Sequence, residues 1–156
     1  MNEPSKNLLK EAVILFGKDQ YAEAAEKFQK VIEMDPDSKI ASTGLAYSYD
    51  QMMKPKEAIE YYRRAIALQP DDVFLLSRLG SIYETIGKTE EAIAYFEKGF
   101  KLEPKNPRVL FGLGHLQYTL GHYNESIENY DEVLQIEPQN SQFGLILGLV
   151  IKKLEN

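Results

Sequence analysis

The side chains that could do chemistry are few and scattered. His115 and His122 would sit two turns apart if one helix ran through both, but Gly121 interposes a turn. As metal ligands they would need a third His, a Cys or a carboxylate placed beside them, and the sequence shows no such set. A packing or lining role is expected for His115 and a turn position for His122. The carboxylate pairs Asp71-Asp72 and Glu90-Glu91 fall at helix starts, where they complement the helix dipole and lack the burial that general acid catalysis requires. Gly112-Leu113-Gly114 lacks the third glycine and the preceding strand of a dinucleotide-binding turn, and no P-loop exists. Those glycines are expected to serve helix packing. Asn124-Glu125-Ser126 matches a glycosylation acceptor, but no secretory signal gives the match a context. Cysteine is absent, which removes disulfides, thiolate nucleophiles and Cys-ligated metals. With no nucleophile–base pair and no metal set, the chain is expected to be neither an enzyme nor a holder of a cofactor or metal.

Composition narrows the partners. The 156 residues carry 24 acidic and 18 basic side chains, a net charge of −6. No dense Lys/Arg cluster offers the phosphate-neutralising footprint of a nucleic-acid binder. The longest apolar stretch, Phe143 to Ile151, is far shorter than the roughly 20 residues needed to span a bilayer. No nucleic-acid partner and no membrane partner are therefore expected, and a cytoplasmic location is the simplest expectation. An apolar share of 44% with 10 Tyr and 7 Phe supplies a core for one folded domain.

A fixed period organises the elements. Pro36, Pro70, Pro104 and Pro138 recur at equal 34-residue spacing, and just beyond each comes Ser38, Asp72, Asn106 or Asn140. Proline stops one helix, and the short polar side chain can cap the next. Ala24, Ala58, Ala92 and Ser126 form a small column, with Phe28, Tyr62, Phe96 and Tyr130 one helical turn later. A second small column, Ala12, Ala46, Gly80, Gly114 and Gly148, lies in the preceding segment of each unit. Apolar residues recur at spacings of three and four, so each unit reads as two helices. The turn between them is marked by Gly87-Lys88, Gly121-His122 and Lys54-Pro55. The expected helices span 5–17, 21–34, 39–52, 55–68, 73–86, 89–102, 107–120, 123–136 and 141–154.

These columns resemble those of the tetratricopeptide repeat family, in four consecutive repeats at 5–38, 39–72, 73–106 and 107–140 plus a terminal helix at 141–154. Two departures are the absence of Trp and the presence of Glu11 where the other units have Leu. The resemblance implies an all-α, single-domain, right-handed superhelix of antiparallel helix pairs, about nine helices in all. It also implies that the first helix of each pair lines a concave groove used to bind peptides or helices of other proteins. One subclass holds the C-terminal carboxylate of chaperones in a clamp of Lys, Asn and Arg. At the clamp positions this chain has Leu9, Val13, Gly44, Phe74 and Arg78, so chaperone-tail binding is not expected.

Residues that the packing does not need should carry the function. The stripe facing the groove on the first helices contains Phe16, Tyr47, Phe74, Arg78, Arg108, Phe111, His115 and Tyr118, where an ordinary solvated face would hold Lys, Glu and Asp. Aromatic rings with Arg between them have the composition of binding hot spots. Binding is expected to depend on Tyr47, Phe74, Arg78, Phe111 and Tyr118, and stability is not. On the terminal helix, Phe143, Leu147, Val150, Ile151 and Leu154 are expected to press on the fourth repeat. That assignment leaves Leu145, Ile146 and Leu149 without a partner, for which self-association and the missing second helix of a fifth repeat are equal readings. The expected function is a non-catalytic scaffold or adaptor that binds a partner peptide or helix in its groove. The alternative is a secretion or assembly chaperone shielding an apolar client segment, and an enzyme is a distant third.

Overall fold

The computed structural model describes residues 3–139 and 141–154, with residues 141–143 described in backbone alone. Among the described residues there are nine helices and no strand: α1 (Glu3–Phe16), α2 (Tyr21–Met34), α3 (Lys39–Gln51), α4 (Pro55–Leu68), α5 (Val73–Thr85), α6 (Thr89–Leu102), α7 (Pro107–Thr119), α8 (Tyr123–Ile136) and α9 (Ser141–Leu154). Every expected helix is present, and its bounds lie within about a half-turn of those expected.

Two different devices start and stop them. The first helices α3, α5 and α7 each begin on a side-chain cap. Ser38 accepts from the Ala41 amide at 3.4 Å, Asp72 from that of Leu75 at 3.1 Å, and Asn106 from those of Arg108 and Val109 at 3.1 and 3.4 Å. The cap expected at Asn140 lies outside the described residues. Each first helix of the four complete pairs then ends in the same left-handed reversal. The amides of Gln20, Lys54, Lys88 and His122 donate to the carbonyls of Leu15, Tyr49, Tyr83 and Gln117, at 2.8–3.0 Å. The residue before each donor has positive φ: Asp19 (58°), Met53 (56°), Gly87 (78°) and Gly121 (82°). This is the Schellman geometry, in which glycine is the usual occupant because a Cβ strains a left-handed backbone. The periodic column of Gly87 and Gly121 therefore extends through Asp19 and Met53, two members that residue type alone conceals.

The chain divides into two compact units, Met1–Pro70 and Asp71–Asn156. In the first, α2 packs on both α1 and α3, and α3 packs on α4. In the second, the packed neighbours are α5 with α6, α6 with α7, α7 with α8 and α8 with α9. Consecutive packed helices joined by such short turns must run antiparallel. In each unit the buried ring of the second helix fits into a gap left by missing side chains. Phe28, 1% exposed, sits where a Cβ on Gly44 of the following first helix would overlap it. Phe96, fully buried, lies against Gly80 of its own repeat, where an added Cβ would come within 3.1 Å, and against Gly112 of the next, where one would overlap the ring. Tyr130 likewise faces Gly114, at 3.0 Å from an added Cβ, and the Ser126 hydroxyl donates to the Gly114 carbonyl at 2.7 Å. Burying one such ring stabilises the fold by roughly 1.5–3 kcal/mol.

The outer seam of each pair carries a matched contact. Tyr49 stacks on Tyr61 with centroids 5.5 Å apart and Tyr83 on Tyr95 at 5.6 Å. At the corresponding place in the fourth repeat, Asn129 donates to Gln117 at 2.7 Å. In the first repeat Glu11 stands in place of the expected leucine, and Lys27 on the partner helix pairs with it at 2.6 Å. Gly148 departs from its column: an added Cβ there would meet nothing within 4 Å. Its counterparts are covered by the second helix of their own repeat, and no such helix follows α9 among the described residues.

Two stability measurements check these assignments. Met53 is 81% exposed, so Met53→Gly removes only backbone strain and should raise unfolding free energy by about 0.5–1 kcal/mol in urea titration. Gly44→Ala should cost on the order of 1–3 kcal/mol, whereas Gly148→Ala should cost nothing and gain up to about 1 kcal/mol of helix propensity. Equal effects at the two glycines would contradict the packing described.

Candidate functional site

In the first unit the expected face residues Phe16 and Tyr47 meet each other. Their centroids are 5.3 Å apart with planes at 63°, and Phe16 also contacts Tyr21 at 5.6 Å and the core ring Phe28 at 6.2 Å. The Tyr21 hydroxyl donates to Asp19 at 2.6 Å, which with burial pushes its pKa up to about 12. The cluster thus ties the α1–α2 turn to α3. Phe16 and Tyr47 are half-buried and hold neighbouring helices together, so the expectation that truncating Tyr47 spares stability is corrected. Beside them Lys6, Leu9, Lys10, Val13, Ile14 and Ile40 line an open cleft of about 310 Å³. Its floor is aliphatic and its rim carries two lysines.

In the second unit the face is built from pairs that reach from one first helix to the next. The Arg108 guanidinium at the start of α7 lies 5.2 Å from the ring centroid of Phe74 at the start of α5, within cation–π range. Phe74 stays 37% exposed. These two residues line a cleft of about 560 Å³ whose other walls include Asp71, Asp72, Glu103 and Glu137. One turn further on, Phe111 stacks on His115 at 6.4 Å and packs at a tilt of 48° against Tyr130 at 5.6 Å. His115 Nδ1 meets the Glu84 carboxylate at 2.5 Å. Tyr118 packs on Tyr123 of the following turn at 5.5 Å. Arg78 is half-buried on α5. His122 sits at the N-cap of α8, the turn position expected for it. Among the described residues no group of three or more His, Cys, Asp or Glu side chains could hold a metal ion, and no helix is long and apolar enough to cross a membrane.

The pairing follows a rule that residue types alone did not reveal. Phe16 with Tyr47 and Glu84 with His115 are separated by the same offset in sequence, one first helix touching the next at corresponding positions. Tyr21 and Tyr123, three periods apart in the same column, each back an expected face ring. The repeat register was the available signal for both tyrosines, but they lie at the turns, outside the first-helix stripe.

On α9 the expected partition is corrected in part. Leu145 and Leu149 are 69% and 60% exposed, but Ile146 is half-buried and Val150, 2% exposed, is the residue most fully covered. Ile151 and Leu154, expected to press on the fourth repeat, are 39% and 47% exposed. The side chain of Phe143 lies outside the described residues. Leu147, expected on the covered side, is half-buried as Ile146 is, so the contact stripe runs through Ile146, Leu147 and Val150. Leu145 and Leu149 instead continue the columns of Phe111 and His115 onto a fifth first helix.

Glu84 sets the charge of this face through His115. Accepting the imidazole hydrogen bond, its carboxylate raises the His115 pKa above 6.5, with desolvation opposing. A pKa raised by folding contributes stability that is complete below the unfolded value and vanishes as pH rises through the folded one. The stability difference between the parent and His115→Gln should therefore be largest below about pH 6 and disappear in mildly alkaline solution. A difference independent of pH would mean that the pair is not ionic.

Family models described as tetratricopeptide repeat match residues 9–73, 61–94 and 86–148. A comparison with curated protein sequences finds no match. Solved structures match throughout. A crystal structure of MamA protein has a TM-score of 0.86 at 21% identity, covering 97% of this chain and 83% of that one. The pilF protein of Pseudomonas aeruginosa gives 0.84 at 22%, covering 98% and 70%. YrrB, described as a TPR protein with an unusual peptide-binding site, gives 0.77 at 19%, covering 96% and 77%. At these identities the likeness establishes the fold, helix pairs of the tetratricopeptide solenoid class. With the capped first helices, the ring-into-glycine contacts and the matched segments together, this chain belongs to the tetratricopeptide repeat family.

Proposed function

We propose that this protein is a non-catalytic interaction scaffold that binds a peptide or helix of a partner protein on the faces of its first helices. The observation that carries this reading is the second unit's face. A guanidinium rests on a still-exposed Phe74 ring, and Phe111 and His115 stack one turn along. Such rings are pre-positioned by contacts beneath them, so a ligand loses little entropy in ordering them. A partner with an apolar side chain for the Phe74–Phe111 edge and a basic group for the Asp71, Asp72, Glu103 and Glu137 carboxylates around it fits this face. The peptide-binding site named for the similarly folded YrrB supports the same class of function.

Peptides selected against the protein from a displayed random library provide the test. Their affinity for the Phe74→Ala, Phe111→Ala double variant should fall about 30-fold or more, as expected for loss of hot-spot anchors. A control at Tyr95, which stacks on the outer seam, should leave affinity unchanged. Selected peptides that bind the double variant as tightly as the parent but lose affinity on Tyr95→Ala would move the site to the second-helix surface.

A further inference from the structure

The first unit's cleft differs in charge from the second unit's. It opens where α1 meets α3. Leu9 packs down onto the buried cluster around Phe28, while Val13, Ile14 and Ile40 are exposed and form aliphatic walls. Lys6 and Lys10 complete the lining, and among the described residues no carboxylate belongs to it. Both lysines are exposed, in a chain whose net charge is −6. The repeat register explains why these ammonium groups stand clear. Lys6 and Ile40 are one period apart, as Phe74 and Arg108 are, and all four occupy one column. In the second unit the column's cation rests on the Phe74 ring. Ile40 offers no aromatic face, so Lys6 has nothing of that kind to lie on. Its Nζ is 3.3 Å from Glu3, with both side chains exposed, a pairing that water screens and that a partner's carboxylate can replace at little cost. The cleft's volume of about 310 Å³ is at the low end of the roughly 300–1,000 Å³ of ligand pockets, a size that takes the side chains of a short segment.

We propose that this cleft docks a short acidic, aliphatic segment of a partner protein. Leu, Ile or Val side chains lie on Leu9, Val13 and Ile40, and flanking Asp or Glu side chains pair with Lys6 and Lys10. Charge complementarity specifies this occupant: an apolar surface alone accepts any apolar ligand, whereas ammonium groups at its edge reject a basic one. A second copy docking through α9 would meet like charge. That helix, whose Leu145 and Leu149 are exposed, ends in Lys152 and Lys153 and has no acidic side chain between Ser141 and Leu154. An anionic bilayer matches the charge but not the shape, since the aliphatic walls line a recess. The proposal rests on the scaffold reading above, but it assigns a partner of opposite charge to a different unit, so either can fail alone.

The test recovers, from a displayed random library, peptides that bind the full chain and do not bind its Lys6→Glu, Lys10→Glu variant, which keeps the second unit's face. They should carry Leu, Ile or Val flanked by Asp or Glu. Made synthetically and measured by fluorescence anisotropy, they should lose affinity by about 10-fold or more on Ile40→Ser, and as much when their own carboxylates are replaced by amides. Binding should weaken as salt is raised, and Phe74→Ala should leave it unchanged. Lys6, Lys10 and Ile40 are exposed, so all these variants should melt with the parent, and the milder Lys6→Gln, Lys10→Gln should show a smaller loss in the same direction. The proposal is overturned if no such peptide is recovered, if the recovered peptides lack carboxylates, or if Ile40→Ser leaves their affinity unchanged. It is overturned equally by a parent dimer, or by binding of the parent to phosphatidylserine vesicles, that Lys6→Glu, Lys10→Glu abolishes, which would assign the cleft to a second copy or to a membrane surface.

Discussion

The structure depends on one contact, an aromatic ring from a second helix seated where a first helix lacks a side chain. Phe96 is the clearest instance, held between Gly80 and Gly112 with no room for a Cβ at the second. Two helix backbones can approach this closely only if bulk on one is matched by absence on the other. A chain with no disulfide can therefore hold three successive helices on one ring. Phe96 joins a repeat both to itself and to its successor, while Phe28 meets Gly44 of the next first helix and Tyr130 meets Gly114 of its own repeat, so at these contacts the repeat period is a packing requirement as much as a sequence pattern.

The same contact divides the surface. Positions that receive or supply a ring are fixed by packing, and the Tyr49–Tyr61 and Tyr83–Tyr95 stacks close the outer seams. What remains available is the side of each first helix that faces neither its partner nor the preceding repeat. There the chain places aromatic and basic side chains, and it ties them across neighbouring helices: Arg108 to Phe74, His115 to Glu84 and Tyr47 to Phe16. These ties make the face stiff, and they also mean that stability and binding share residues.

Much of this was legible in the sequence because it rests on residue types with few alternatives. A proline followed by Ser, Asp or Asn admits little but a stop and a cap, and the helix order followed from such signals. The rest was hidden where geometry imposes a state on a residue that does not advertise it. Met53 and Asp19 adopt the left-handed turn that glycine marks at Gly87 and Gly121, and only the spacing links the four. Gly148 matched its column by type, yet the column's meaning depends on a covering helix. On α9, where nearly every residue is apolar, periodicity could not choose between stripes, so Ile146 was set apart from Val150 although both lie on the covered side. The depth of Phe16 and Tyr47 depended on Tyr21, a turn residue outside the stripe.

The central claim is that the ring and the missing side chain act as one unit, and a double-mutant cycle between Phe96 and Gly112 tests it most directly. Gly112→Ala forces a methyl into the ring, and Phe96→Leu vacates that space, so unfolding free energies of the two single variants and the double variant isolate their coupling. The account predicts that the double variant loses less than the sum of the singles by about 1 kcal/mol or more. Losses that add to within about 0.3–0.5 kcal/mol would show independent sites and contradict it.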